Sequence, residues 1–265
     1  DVIVAALGEC SEMSGESASR TTLEIPDAQR DLLKALVKTG KPIVLLLFTG
    51  RPLVLTEEAV NIPSILNVWF GGSEAGDAIA DVLFGKVNPS GKLTTSFPRS
   101  VGQLPLYYNS HNTSRPDPDK NVFNRYTSNY LEDSNEPLYP FGYGLSYTHF
   151  QYDNMVLSSN VLKKGEKLIV SVIVTNKGNY DGCEVVQLYL HDIYADVVRP
   201  VKELKDFKRI FLKKGESREV RFVITEEDLK FYNSNLQYIY ETGDFEVMVG
   251  TNSSRFGAAI IRATI

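Results

Sequence analysis

Cysteine, histidine and long apolar runs are all scarce in this chain, and each shortage removes a class of function. Cys10 and Cys183 are the two cysteines of 265 residues and stand far apart, so a disulfide framework is excluded and two separate thiols are expected. His111, His149 and His191 are the three histidines and fall without ligand spacing, which argues against a zinc centre. No metal and no cofactor is expected. The longest apolar runs, such as residues 43–48, are far too short to span a bilayer, so membrane insertion is not expected. The net charge is −5 and no Lys/Arg block carries interleaved aromatics, so nucleic acid is not an expected partner. An initiating methionine and a signal peptide are also missing, and Asp1 leads straight into a strand with the look of a central one. The expectation is a fragment of a longer protein, cut inside a domain.

What is present is ordinary globular material. Hydrophobic residues make up 43% and charged residues 23%, enough to bury a real core. At roughly 100–200 residues per domain, the length suggests two domains. One stretch organises the first of them. Residues 2–7 form an apolar run that reads as a buried parallel strand. After it come Glu9, Glu12 and Glu16, small residues and Arg20, without helical or alternating periodicity. In an open α/β sheet the loops leaving the carboxyl ends of strands line the ligand crevice. This acidic loop is therefore the first candidate for chemistry.

The pattern up to about residue 98 alternates strand and helix. A helix starts at Pro26, with apolar Leu32, Leu33, Leu36 and Val37 recurring at helical spacing, and stops at Gly40. Strands are expected at 43–48 and 64–70, a helix at 74–84, and a short strand at 92–97. Thr49-Gly50-Arg51-Pro52 reads as a turn. Alternating βαβα with apolar strands implies a mostly parallel sheet covered on both faces. Residues 99–148 then become rich in Pro, Asn, Asp, Ser and Tyr, with 115–119 the clearest loop. The seven tyrosines from Tyr107 to Tyr147 argue for an ordered segment packed over a neighbour, or for aromatic walls to a sugar site. Beyond residue 151 short alternating runs at 167–175, 183–191, 207–211, 218–224, 236–240 and 245–250 are separated by turn residues, which suggests a β-sandwich.

Two apparent motifs fail. Gly71-Gly72-Ser73-Glu74-Ala75 has alanine where a nucleophile elbow needs its last glycine, and Tyr147 stands where a dinucleotide fingerprint beginning at Gly142 needs glycine. Both are read as structural. A serine esterase is disfavoured accordingly.

Several stretches together resemble one family. They are Gly8-Glu9 with Ser14-Gly15-Glu16 and Arg20, Gly71-Gly72-Ser73-Glu74-Ala75-Gly76, Asn88-Pro89-Ser90-Gly91-Lys92-Leu93, Ser96-Phe97-Pro98-Arg99, and Leu138-Tyr139-Pro140-Phe141-Gly142-Tyr143-Gly144-Leu145-Ser146-Tyr147. Their order resembles the C-terminal half of a family 3 glycoside hydrolase of the periplasmic bacterial β-glucosidase kind. Val174-Thr175-Asn176-Lys177-Gly178 and Arg199-Pro200-Val201-Lys202-Glu203-Leu204 resemble that family's fibronectin type III-like domain.

The resemblance implies an α/β plus all-β chain. Residues 1–125 would be the C-terminal part of the α/β sandwich, 126–148 a tyrosine-rich linker, and 149–265 the fibronectin-like sandwich. It also implies a retaining hydrolase of terminal β-glucosyl residues, periplasmic or secreted. Its nucleophilic Asp would lie on an N-terminal barrel that is absent here, leaving the fragment inactive alone. Retaining hydrolysis needs two carboxyl groups roughly 5–5.5 Å apart. By the family's Glu-x-x-x-Arg pattern, Glu16 takes the acid/base position. Arg20 belongs to the substrate site, where it steers Glu16 or caps the loop. Glu9 is the competing acid/base, better fixed because it directly follows the strand. The alternative function is a non-catalytic module that presents a carbohydrate- or protein-binding surface.

Overall fold

The computed structural model describes residues 1–116 and 124–264, so positions 117–119 of the loop at 115–119 lie outside the described residues. The chain divides into two compact units. The first comprises Asp1–Val87, Thr95–Leu106 and Tyr130–Tyr139; the second comprises Asn88–Thr94, Tyr107–Asn129 and Pro140–Ile265.

The first unit is a βαβ layer. Strands β1 (Ile3–Gly8), β2 (Ile43–Phe48) and β3 (Ser64–Asn67) form a parallel sheet in that order, with Leu7 paired to Leu47 and Gly8 to Phe48. Helix α1 (Asp27–Val37) joins β1 to β2, and α2 (Thr56–Asn61) joins β2 to β3. Helix α3 (Ala75–Leu83) follows β3. Helix α1 ends where Gly40 takes a φ of +71°, a conformation that costs glycine nothing. The middle strand of the unit is β2: its Ile43, Leu45, Leu46 and Leu47 are buried, as are Ile25, Leu33 of α1, Leu53, Leu55 and Ile62.

Two expectations change here. Within these three strands β1 pairs only with β2, and Val4 on its outward side is 51% exposed. A continuous apolar run predicts cover on both faces; among the described residues, only one face of β1 has it. The strand expected at 92–97 does not form. Phe97 instead makes a single bridge to Tyr139, its N–H donating to the Tyr139 carbonyl at 2.8 Å, and its ring meets Tyr139 edge-on.

The second unit is an antiparallel sandwich. It contains β4 (Phe150–Leu157), β5 (Val161–Lys163), β6 (Leu168–Asn176), β7 (Gly182–Asp192), β8 (Glu203–Leu212), β9 (Ser217–Ile224), the short helix α4 (Glu226–Leu229), β10 (Phe231–Tyr232), β11 (Tyr238–Ile239), β12 (Gly243–Asn252) and β13 (Arg255–Thr264). One sheet runs β5-β13-β12-β7-β8 and the other β4-β6-β9, with β10 and β11 a separate hairpin. Only β5 on β13 is parallel within the larger sheet. Alternate residues point inward as the period of two demands. Val170, Val172 and Val174 of β6, Phe222 of β9, Val186, Leu188 and Leu190 of β7, and Val247 and Val249 of β12 form one core. Tyr108 stacks on Phe141 within this unit with centroids 4.1 Å apart. No helix among the described residues is long and apolar enough to cross a membrane.

Candidate active-site loop

The site begins where β1 ends. Gly8 adopts a φ of +139°, and a Cβ there would lie 1.8 Å from the Phe48 carbonyl oxygen, so only glycine lets the chain leave the sheet at this point. Gln29 of α1 satisfies both backbone groups of Gly8: its Oε1 accepts from the Gly8 N–H at 2.7 Å, and its Nε2 donates to the Gly8 carbonyl at 3.0 Å. The next residue, Glu9, donates its N–H to the Phe48 carbonyl at 2.7 Å. Its side chain is thereby directed between the carboxyl ends of β1 and β2.

The Glu9 carboxylate is fully engaged. Arg20 Nη1 donates to Oε1 at 2.9 Å, and Arg51 Nε lies 3.1 Å from the same oxygen. Oε2 accepts from Thr49 Oγ1 at 2.9 Å and from the Gly50 N–H at 3.1 Å. Burial pushes this carboxyl up, but the hydrogen bonds from Arg20, Gly50 and Thr49 and the charge of Arg51 outweigh it and hold it below the usual carboxylate range. A carboxylate so held favours its charged form. Glu9 has the geometry of a structural anchor.

Beyond Glu9 the loop makes a short 3₁₀ turn, Ser11–Met13, and then a tight turn in which Gly15 has a φ of +150° and Ser17 one of +61°. Glu16 sits between these two and is exposed. Its carboxylate has no hydrogen bond among the described residues, whereas Arg20 is committed to Glu9 and, through Nη2 at 3.1 Å, to the Glu24 carbonyl. Neither Arg20 nor Arg51 is bonded to Glu16. Glu12 is exposed too, and hydrogen bonds from Cys10, its own amide and Ser11 hold its carboxyl below the ordinary value. The loop thus presents one unattached carboxylate, Glu16, beside one that is locked, Glu9.

Sequence reasoning read Thr49-Gly50-Arg51-Pro52 only as a turn and missed its part in the site. The available signal was its place: it follows β2 directly, and in a parallel sheet the loops after adjacent strands emerge side by side. Gly50 is required there, since an added Cβ would stand 1.9 Å from Ser14 Oγ and 2.9 Å from the Phe70 ring. In the Gly71–Gly76 stretch a Cβ on Gly71 would meet Ala75 Cβ at 2.7 Å, so the chain is tight at that point. Among the described residues no group of three His, Cys, Asp or Glu is placed to hold a metal ion.

A parallel α/β unit with an acidic loop at a strand end, followed in sequence by an antiparallel β-sandwich, defines a modular chain. The chain belongs to glycosyl hydrolase family 3: residues 1–147 match the family 3 C-terminal domain, and residues 184–253 match the fibronectin type III-like domain. It is 52% identical over 256 residues to the periplasmic beta-glucosidase of Salmonella typhimurium, a match covering 96% of this chain and 33% of that protein. It is 42% identical over its whole length to a beta-xylosidase of Formosa agariphila, of which it covers 36%. Among solved structures, the beta-glucosidase of Listeria innocua in complex with glucose superimposes with a TM-score of 0.95 at 44% identity, covering 100% of this chain and 37% of that one. The chain therefore spans about a third of the length of the curated relatives it matches.

Proposed function

We propose that this chain is the part of a retaining β-glucosidase that carries the acid/base carboxylate, Glu16. The intact enzyme would release terminal, non-reducing β-D-glucosyl residues from a β-glucoside or oligosaccharide, in the periplasm or outside the cell. Glu16 would protonate the departing oxygen and then activate water on the glycosyl-enzyme. The nucleophile belongs to the remaining two thirds of the polypeptide, the N-terminal barrel. The observation that carries this reading is the division of labour in the loop. Glu9 is locked by four partners and held ionised, while Glu16 is exposed with no arginine bonded to it. A general acid must be free to hold and release a proton. Arg20 ties the far end of the loop to Glu9; the 17% of its side chain left open is what a bound sugar would meet.

In the full-length polypeptide Glu16→Gln should lower turnover by about 10²–10⁴, the usual worth of acid/base catalysis. Azide should restore part of it on a substrate with a good leaving group, because azide attacks the glycosyl-enzyme without needing a base. If Glu9→Gln shows that rescue and Glu16→Gln does not, the assignment is wrong. The 265 residues alone should not turn over an aryl β-glucoside, and metal-independent turnover by them would overturn the placement of the nucleophile elsewhere.

A further inference from the structure

We propose that Arg51 is the positioning residue for the acid/base carboxylate, fixing where Glu16 stands by holding both ends of the turn that carries it. This rests on the reading of Glu16 given above. One nitrogen of Arg51, Nη2, donates to the Met13 carbonyl and to the Ala18 carbonyl, the latter at 3.3 Å. These two carbonyls bracket residues 14–17, with Glu16 between them. Inside the bracket the turn is closed by one backbone hydrogen bond, from the Ala18 N–H to the Gly15 carbonyl at 3.2 Å. Among the described residues Glu16 has no side-chain bond of its own, so the backbone on either side sets the region its carboxylate can reach.

Arg51 is itself held by the charge of Glu9 and by its own backbone, although its Nε makes no hydrogen bond of ordinary geometry among the described residues. Its Nε is 3.1 Å from the fully buried Glu9 carboxylate. Its N–H donates to Thr49 Oγ1 at 3.2 Å, and the single Thr49 hydroxyl proton is shared between the Arg51 carbonyl at 2.7 Å and Glu9 Oε2 at 2.9 Å. The side chain is 20% exposed. A planar guanidinium can bind an anion through one edge and two carbonyls through another; a lysine ammonium is a single point charge and cannot bridge the same three acceptors. The chain of support runs from the β1 and β2 strand ends through Glu9 to Arg51, and from Arg51 to the two shoulders of the Glu16 turn. Gly50 completes it by letting Ser14 lie against the β2 loop without a Cβ in the way.

The test uses the full-length polypeptide and two substrates, phenyl β-glucoside, whose leaving group needs protonation, and 2,4-dinitrophenyl β-glucoside, whose leaving group does not. A misplaced acid should slow the first and spare the second. Arg51→Ala should lower kcat/KM for the phenyl glycoside by about 10²-fold, the cost of roughly 1 Å of misplacement. It should lower the formation of the glycosyl-enzyme from the dinitrophenyl glycoside by no more than about 3-fold, since that step draws little on general acid catalysis. Arg51→Lys, which keeps the charge against Glu9, should show the same selectivity, and it carries the test if Arg51→Ala does not fold. Adding Arg51→Lys to Glu16→Gln should cost nothing further, because a residue that acts through Glu16 has nothing left to position. Equal losses on both substrates, or losses that multiply in the double variant, overturn the role of Arg51. If Glu16→Gln itself spares neither substrate selectively, the reading of Glu16 fails instead, and the two failures are told apart.

Discussion

Each unit buries a carboxylate near an arginine, and the two end in opposite states. Glu9 of the α/β unit is 6% exposed and Asp192 of the sandwich 8% exposed, so their surface exposure is alike, although Asp192 is the more deeply set of the two. Glu9 has four donors or charges converging on its two oxygens and is held below the ordinary range. Among the described residues neither oxygen of Asp192 has a hydrogen bond of ordinary geometry. Burial raises its carboxyl to about 6; Arg199 and the Tyr194 amide oppose this, while Glu241 and Glu203 add to it. Arg199 is engaged elsewhere, with Nη2 2.8 Å from Glu203 and its guanidinium over the Phe231 ring at 4.9 Å. A nearby guanidinium does not by itself keep a buried carboxylate charged; the number of donors that reach it does.

The largest effect should come from breaking the satisfied site. Glu9→Gln leaves Arg20 and Arg51 without their shared anion, and removing one partner of a buried pair costs about 3–5 kcal/mol. Hydrogen exchange in the full-length polypeptide reads this locally, as faster opening of β1 and of residues 49–51 with β7 unchanged. The pH dependence follows from the sign of the shift. Glu9's carboxyl is lowered in the folded state, so its contribution is complete above the unfolded value of 4.5 and is lost as pH falls through the folded value. The variant should lack that acid-side loss. Unchanged exchange at β1 would mean that the clamp is incidental.

How much of this was legible beforehand differs between the units for the same kind of reason. The sandwich strands β6, β7, β9 and β12 could be read because each alternates with period two over a buried face. Strand β4 was missed: its pairing with β6 slips between Asp153 and Val156, and Asn154 takes a φ of +52°, which destroys the alternation. In the α/β unit β2 was clear from Ile43–Phe48, but α2 was missed as a helix of only 6 residues with too little length for periodicity. The acidic loop could be found from its place after β1. Which glutamate is locked could not, because Glu9's partners Thr49, Gly50 and Arg51 lie about 40 positions away and meet it only through the β1–β2 register.

Asp192 supplies the next effect, of opposite sign. Its carboxyl keeps its proton in the folded state up to about pH 6 but ionises at 3.8 when unfolded, so folding stability falls as pH rises between those values and stays reduced above them. At about 1.36 kcal/mol per unit, the rise from 3.8 to about 6 is at most about 3 kcal/mol. Asp192→Asn should remove that slope and leave the sandwich more stable at pH 7, by about 1–2 kcal/mol after the loss of its attraction to Arg199. Amide exchange along β7, measured at pH 4 and pH 7, reads it. A wild-type protein whose β7 is equally protected at both pH values would contradict the unsatisfied state of Asp192.

The smallest effect separates the donor rule from the unit in which a carboxylate happens to sit. Glu58 of α2 lies in the same α/β unit as Glu9 and is also 6% exposed. Its nearest cation, Arg30, keeps Nε 3.7 Å from Oε1 and turns Nη2 to Glu57 at 2.8 Å. Burial raises the Glu58 carboxyl; its own amide and the charges of Arg30 and Lys34 oppose this, and Glu57 adds to it. If donors decide, Glu58 must behave like Asp192 in the other unit and not like its neighbour Glu9. Folding stability should then decline as pH rises above 4.5 on account of this group. Glu58→Gln should be neutral or stabilising at pH 7, within about 1 kcal/mol. A destabilisation approaching that of Glu9→Gln would show that Arg30 satisfies Glu58 despite its distance, and the geometric distinction between the two sites would then carry no energetic weight.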